Sequence, residues 1–214
     1  MREFLEIMLM LGRGCEYMAI SLVKGQKVDL TKGNTGLSKV IVGLGWDPLE
    51  VKKGFFGTKK AANIDCDASA ILLDANGKLT KKENLVCFYN KQSGCSSVVH
   101  SGDNITGEGD GDDEQISVDL NRVPSDVSKV LCVVNIYECE SRRQDFGMIK
   151  SAYIRILNPA NNQELIRFNL TENYSGKTAL VVGELYRHNG EWKFNAIGEG
   201  THAPHIDILA RQYT

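Results

Sequence analysis

A chain of 214 residues with 42% hydrophobic content is long enough to bury one substantial core, so a single domain is expected. Its formal charge of −2 argues against a nucleic-acid partner held by a general basic field, and no apolar run is long enough to span a bilayer as a helix. The charge is unevenly spread: between Lys91 and Arg122 there is no Lys or Arg, and Asp103, Glu108, Asp110, Asp112, Asp113, Glu114 and Asp119 give that stretch −7, leaving +5 for the rest.

In chain order, residues 4–11 are apolar apart from Glu6. The run is short, carries an acid in its middle and lacks a small-residue cleavage pattern, which makes a poor signal peptide. Gly12-Arg13-Gly14 can be encoded by a purine-rich, ribosome-binding-like stretch three codons before Met18, where the amphipathic start Met-Ala-Ile-Ser-Leu begins. Residues 1–17 are therefore expected to lie outside the translated protein, leaving one domain over 18–214.

From Ala19 onward the dominant signal is short alternating or β-branched runs separated by Gly, Asn and Asp, the pattern of a sandwich or a barrel. Strands are expected over 39–44, 63–73, 86–89, 117–120, 129–137, 152–157, 164–169, 179–187 and 191–197. Asn189-Gly190 predicts a tight hairpin, because both residues tolerate the positive φ angles that a type I′ turn needs; Leu-Tyr-Arg then faces Trp-Lys-Phe. A short helix is expected from Pro124. A C-terminal helix is expected after Pro204, with Ile206, Leu209, Ala210 and Tyr213 on one face. The fold class is thus mainly β with a few short helices. Lys52, Lys53, Lys59 and Lys60 bracket Gly54-Phe55-Phe56-Gly57 and read as an exposed loop.

The six cysteines (Cys15, Cys66, Cys87, Cys95, Cys132 and Cys139) form no C-x-x-C pair and no cluster with His at zinc spacing. They are expected to be small hydrophobes, reduced in a cytoplasmic compartment.

Chemistry concentrates in residues 102–114. Glu108, Asp110, Asp112 and Glu114 recur at every second position, interleaved with Gly107, Gly109 and Gly111, and Asp113 adds another carboxylate. Crowded carboxylates repel and raise one another's pKa, so a folded loop of this kind wants a cation. Ca²⁺ suits it: a hard ion taking six to eight oxygens, with glycines free to turn backbone carbonyls inward. Zinc and copper would ask for His or Cys, and the loop has neither. An EF-hand starting at Asp110 would need Gly at position 6 and Glu at position 12, where Gln115 and Asn121 stand, so the frame must come from strands. In 63–69, a strand places Asp65, Asp67 and Ser69 on one face and Cys66, Ala68, Ala70 and Leu72 on the core face. Asp103 and Asn104, ahead of the loop, can add oxygens. The competing reading of an acidic, glycine-rich loop is a solvated segment with no ligand. His100, His202 and His205 have no acid or nucleophile at a recognisable spacing, and no triad is visible. Trp46 and Trp192 read as core or rim aromatics.

Several segments together resemble the TerD family of tellurium-resistance and stress proteins. They are Ala19-Ile-Ser-Leu-Val-Lys-Gly-Gln, Gly43-Leu-Gly-Trp-Asp47, Ile64-Asp-Cys-Asp-Ala-Ser69, the whole of His100 to Glu114, and Gly183-Glu-Leu-Tyr-Arg with Gly190-Glu-Trp-Lys-Phe. The resemblance covers 18–214. It implies a β-sandwich that binds Ca²⁺ through Asp65, Asp67, Asp103, Asn104, Asp112, Asp113 and Glu114. It also implies partners among other tellurite-resistance proteins, with a membrane protein as a further partner at the inner membrane face, and no nucleic acid. Cys66 stands where an aliphatic residue is common in the family.

Three functions compete. The leading one is a non-enzymatic Ca²⁺-binding adaptor in a membrane-associated assembly, the ion ordering a loop that partners read. The second is an enzyme or small-ligand binder that uses Ca²⁺ to hold a phosphate or another oxyanion; the sequence offers it no evident base or nucleophile. Direct tellurite detoxification by the cysteines is the third, disfavoured because none forms a close pair.

Overall fold

The computed structural model describes residues 19–48, 64–101 and 111–214. These form twelve strands: β1 (Ile20–Leu22), β2 (Lys27–Asp29), β3 (Lys39–Pro48), β4 (Cys66–Leu73), β5 (Leu85–Val86), β6 (Val98–His100), β7 (Glu114–Asp119), β8 (Lys129–Ile136), β9 (Ile149–Asn158), β10 (Gln163–Asn169), β11 (Ala179–His188) and β12 (Glu191–Thr201). Two short helices join them, α1 (Cys139–Arg142) and α2 (Ile206–Ala210). The first sheet has the order β1-β10-β9-β3-β7-β6 and the second β2-β12-β11-β8-β4-β5. All pairings are antiparallel except β1 with β10.

The two sheets face one another across the main core, as in a sandwich. Val40, Val42, Leu44 and Trp46 of β3 and Ile116 and Val118 of β7 meet Cys66, Ala68, Ala70 and Leu72 of β4 and Val130, Cys132, Val134 and Ile136 of β8. The second sheet is also covered on its outer face. Ile71 and Leu73 of β4, Leu131 and Val133 of β8, and Ala179 and Val181 of β11 pack with Ile206, Leu209 and Ala210 of α2. A sheet buried on both faces reads as continuous apolar sequence rather than as alternation, which is why Ala-Ile-Leu-Leu and Val-Leu-Cys-Val-Val are unbroken runs.

The hairpin forms as its residues dictate. Asn189 and Gly190 take φ of 53° and 82°, and Arg187, Tyr186 and Leu185 pair with Trp192, Lys193 and Phe194. The C-terminal helix forms after Pro204 as expected, and His205 caps it, its side chain accepting the Asp207 N–H. No helix follows Pro124; the segment is a turn in which the Val127 N–H donates to the Pro124 carbonyl. Leu85–Val86 forms the strand expected over 86–89, because the chain then turns back with Cys87 and Asn90 bonded to each other.

Candidate metal-binding site

β5 pairs with Ala70 and Ile71 of β4, and among the described residues no strand meets the edge of β4 ahead of Ala70. Side chains from the first sheet satisfy it instead. The buried Glu114 carboxylate, at the start of β7, accepts the Ala68 N–H through Oε2. His100 Nε2, from β6, lies 3.1 Å from the Ala68 carbonyl and 3.4 Å from Glu114 Oε2. Two sheets are thereby joined at one corner by a His and a Glu that sequence spacing does not link.

Asp113 enters the same corner. Its N–H donates to the Leu44 carbonyl at 2.8 Å, and its Oδ2 accepts the Trp46 N–H at 2.8 Å. Burial, and then the charges of Asp47 and Asp112, hold its pKa above the ordinary carboxylate value, while the Trp46 N–H pulls it the other way. The Trp46 indole in turn donates to the Ile64 carbonyl at 3.2 Å, fixing the entry to β4 beside the end of β3.

On β4 the alternation is as expected. Cys66 and Ala68 face the main core, and Asp65, Asp67 and Ser69 take the opposite face. All three of these are buried. Asp67 stands in register with Asn135 of β8, whose Nδ2 donates to Asp67 Oδ2 at 3.3 Å. Asp65 Oδ2 lies 3.5 Å from Arg142 Nη1. The Cys66 thiol lies in the main core, and complete burial first, then the charges of Asp67, Asp65, Glu114 and Asp113, raise its pKa.

Asp112 stands apart. It lies on the outer face of the first sheet, where Oδ1 accepts from Arg155 Nε at 2.6 Å and from the Tyr153 hydroxyl at 3.1 Å, and Oδ2 accepts from Gln115 Nε2 at 2.9 Å. Arg155 continues to Glu164, which Arg167 grips with two bonds of 2.7 and 2.8 Å. The structure thus buries Asp65 and Asp67 on β4 and Glu114 at the start of β7, ties Asp113 to the end of β3, and places Asp112 on the outer face of the first sheet. Asp103, Asn104, Glu108 and Asp110 lie outside the described residues, as do the lysine cluster around Phe55-Phe56 and residues 1–17.

The donor chemistry fits a hard cation. Beside Asp67 two buried oxygens, Asn135 Oδ1 and Ser69 Oγ, have no hydrogen-bond partner among the described residues, an arrangement that costs stability unless something else satisfies them. Among the described residues, no three His, Cys, Asp or Glu side chains stand close enough to hold an ion by themselves. Sequence reasoning missed His100, Asn135 and Arg142. Only Asn135 had a signal, as a lone amide within the apolar run of β8.

The comparisons agree with one another. The TerD domain model matches residues 18–213. The chain is 52% identical to the stress response protein SCP2 of Bacillus subtilis over 199 residues, covering 92% of this chain and all of that protein. It is 46% identical to the tellurium resistance protein TerD of Serratia marcescens over 196 residues, 92% of this chain and 97% of that one. Among solved structures, a Streptomyces coelicolor homologue of telluride resistance protein, SCO6318, superposes with a TM-score of 0.62 at 21% identity, over 84% of this chain and 99% of that one. That likeness supports the sandwich alone. Among the described residues, no helix is long and apolar enough to cross a membrane. By the span of the family match and the identity of these relatives, the chain belongs to the TerD family of tellurium-resistance and stress-response proteins.

Proposed function

We propose that this protein binds Ca²⁺ at the corner between β4 and β7 and serves as a non-enzymatic adaptor in stress and tellurite resistance. In this reading it works at the membrane's inner face, in an assembly with other proteins of its family and a membrane protein. The observation that carries the proposal is the buried Asp67 carboxylate with two buried oxygens beside it, Asn135 Oδ1 and Ser69 Oγ, that have no hydrogen-bond partner among the described residues. A buried carboxylate beside unsatisfied oxygens is costly, and a divalent cation would replace that cost with coordination. Asp67, Asp113 and Glu114, with Asn135 Oδ1 and Ser69 Oγ, would hold the ion. Bound there, the ion ties the start of β7 to β4 and makes the surrounding surface metal-dependent, which is what a partner reads.

The test is calorimetric titration of Ca²⁺ into metal-stripped protein with Mg²⁺ as competitor, and thermal melts alongside. Binding that resists Mg²⁺ and raises the melting temperature is expected. Asp67→Asn should weaken binding about tenfold or more, a change of ~1.4 kcal/mol, while leaving the metal-free melt nearly unchanged. Absence of heat and of any thermal shift in the parent would overturn the proposal.

A further inference from the structure

A cavity of about 640 Å³ opens beside α2. It lies between the 3₁₀ turn Arg211–Tyr213, which extends that helix, and the 3₁₀ turn Lys82–Asn84 ahead of β5. Its volume is that of a small-molecule site, and it shares no residue with the acidic corner. Leu79, Leu85 and Ala210 supply an apolar lining that is continuous with the cluster on the outer face of the second sheet.

Tyr89 forms a wall of this cavity and is fixed there although it is 51% exposed. Its hydroxyl donates to Asp207 Oδ1 at 2.6 Å, and its ring stacks on His205 with 5° between the planes. Phe88 meets the ring edge-on, the centroids 5.0 Å apart. The backbone beneath is closed by mutual hydrogen bonds between Cys87 and Asn90, and Asn90 Nδ2 donates to the Leu85 carbonyl at 2.6 Å. A ring held in this way loses little further freedom when a ligand packs on it.

Four charged residues line the cavity, and the two signs are used differently. Asp207 accepts from Tyr89 through Oδ1, and its Oδ2 lies 3.0 Å from His205 Nδ1. Glu83 lays its stem against Gly94, which is outside the lining; a Cβ built on Gly94 would overlap the Glu83 Cγ. The side chains of Lys82 and Arg211, both exposed, make no ion pair or hydrogen bond among the described residues. The cavity therefore joins an apolar floor and a fixed aromatic wall to two cations that lack a counter-charge.

We infer that this cavity binds a small organic acid, its apolar body against Leu85 and Tyr89 and its carboxylate between Lys82 and Arg211. A guanidinium takes a carboxylate through two parallel N–H bonds, and an ammonium adds a compact charge beside it. An uncharged molecule of the same shape would leave both cations unanswered, so selection is by charge as well as by fit. The site is separate from the Ca²⁺ corner and needs no metal.

The experiment is ¹H–¹⁵N correlation NMR of the metal-stripped full chain, titrated with 2-naphthoate and octanoate and with the uncharged amide of each. At least one acid shifts the amides of Tyr89, Asn90 and Arg211 saturably, and binds about tenfold more tightly than its amide. Combining Lys82→Gln with Arg211→Gln removes that preference and leaves the melting temperature unchanged, because both side chains are exposed. Saturable shifts from neither acid, or shifts confined to other parts of the chain, overturn the site. Equal binding of acid and amide, or an undiminished preference in the double variant, overturns the role of the two cations and the inference with it. All of these outcomes are read without Ca²⁺, so they leave the ion-binding proposal untouched.

Discussion

The Asp112 carboxylate occupies the space that a side chain at residue 43 would fill: a Cβ built on Gly43 would overlap it directly. Gly43 lies in the middle of β3 with its outer face toward Arg155 and Gln115, its neighbours in register. The motif Gly43-Leu-Gly-Trp therefore alternates openings on one face of the sheet with core side chains, Leu44 and Trp46, on the other. At Gly45 the opening is filled by the Tyr153 ring. Burial, followed by the Asp112 charge, pushes the Tyr153 phenol up to about 12, so it stays protonated and donates to the Gly111 carbonyl at 2.6 Å as well as to Asp112. Asp112 is thereby an anchor that fixes where the chain enters β7.

A double-mutant cycle tests the anchor. Gly43→Ala forces Asp112 off the sheet and should cost ~1–3 kcal/mol of stability. Asp112→Ala removes a buried partner of Arg155, which keeps Glu164, and should cost ~1–2 kcal/mol. Because both changes break the same contact, the double variant should lose clearly less than the sum. Chemical denaturation of the four metal-stripped proteins measures this, and additive losses would show that Gly43 and Asp112 are not coupled.

The Asp113 carboxyl sets a pH dependence in the metal-free protein. Its folded pKa lies above the ordinary value of 3.8, so the native state favours the protonated form. That contribution to stability is fully present below the unfolded pKa and is lost as pH rises through the folded pKa. Asp113→Asn keeps an oxygen for the Trp46 N–H and removes the ionisation. Melting temperatures from pH 4 upward should show the variant gaining on the parent as the pH rises, with Ca²⁺ reversing the order. A constant difference across that range would refute the assignment.

Thiol reactivity should follow burial. Cys66, Cys87 and Cys132 are buried, and burial raises all three thiols, Cys132 to about 12. Cys95 differs. Its partial burial would raise it, yet contacts with Ser93 Oγ at 3.4 Å and Ser97 Oγ at 2.9 Å outweigh this and lower its pKa. Alkylation of native protein near pH 8, followed by peptide mass spectrometry, should label Cys95 on the order of a hundredfold faster than Cys66. Comparable rates at the two would mean that β4 opens readily to solvent.

The sequence by itself determined the long strands, the Asn189-Gly190 turn and the face of β4 that carries Asp65 and Asp67. Those follow from side-chain period and backbone preference, which are local. It did not reveal β1, β2 and β6, each three residues long, since so short a strand is defined by the neighbour it pairs with. Nor did it divide the acidic run. Asp112, Asp113 and Glu114 are consecutive, and spacing alone groups them as one set. Only the tertiary structure separates them, because the pleat of β7 and the space over Gly43 send Asp112 to one side of the sheet and Glu114 to the other. The meeting of Glu114 with His100 likewise depends on how β6 and β7 lie against β4, and that of Asp65 with Arg142 on the turn that α1 makes after β8.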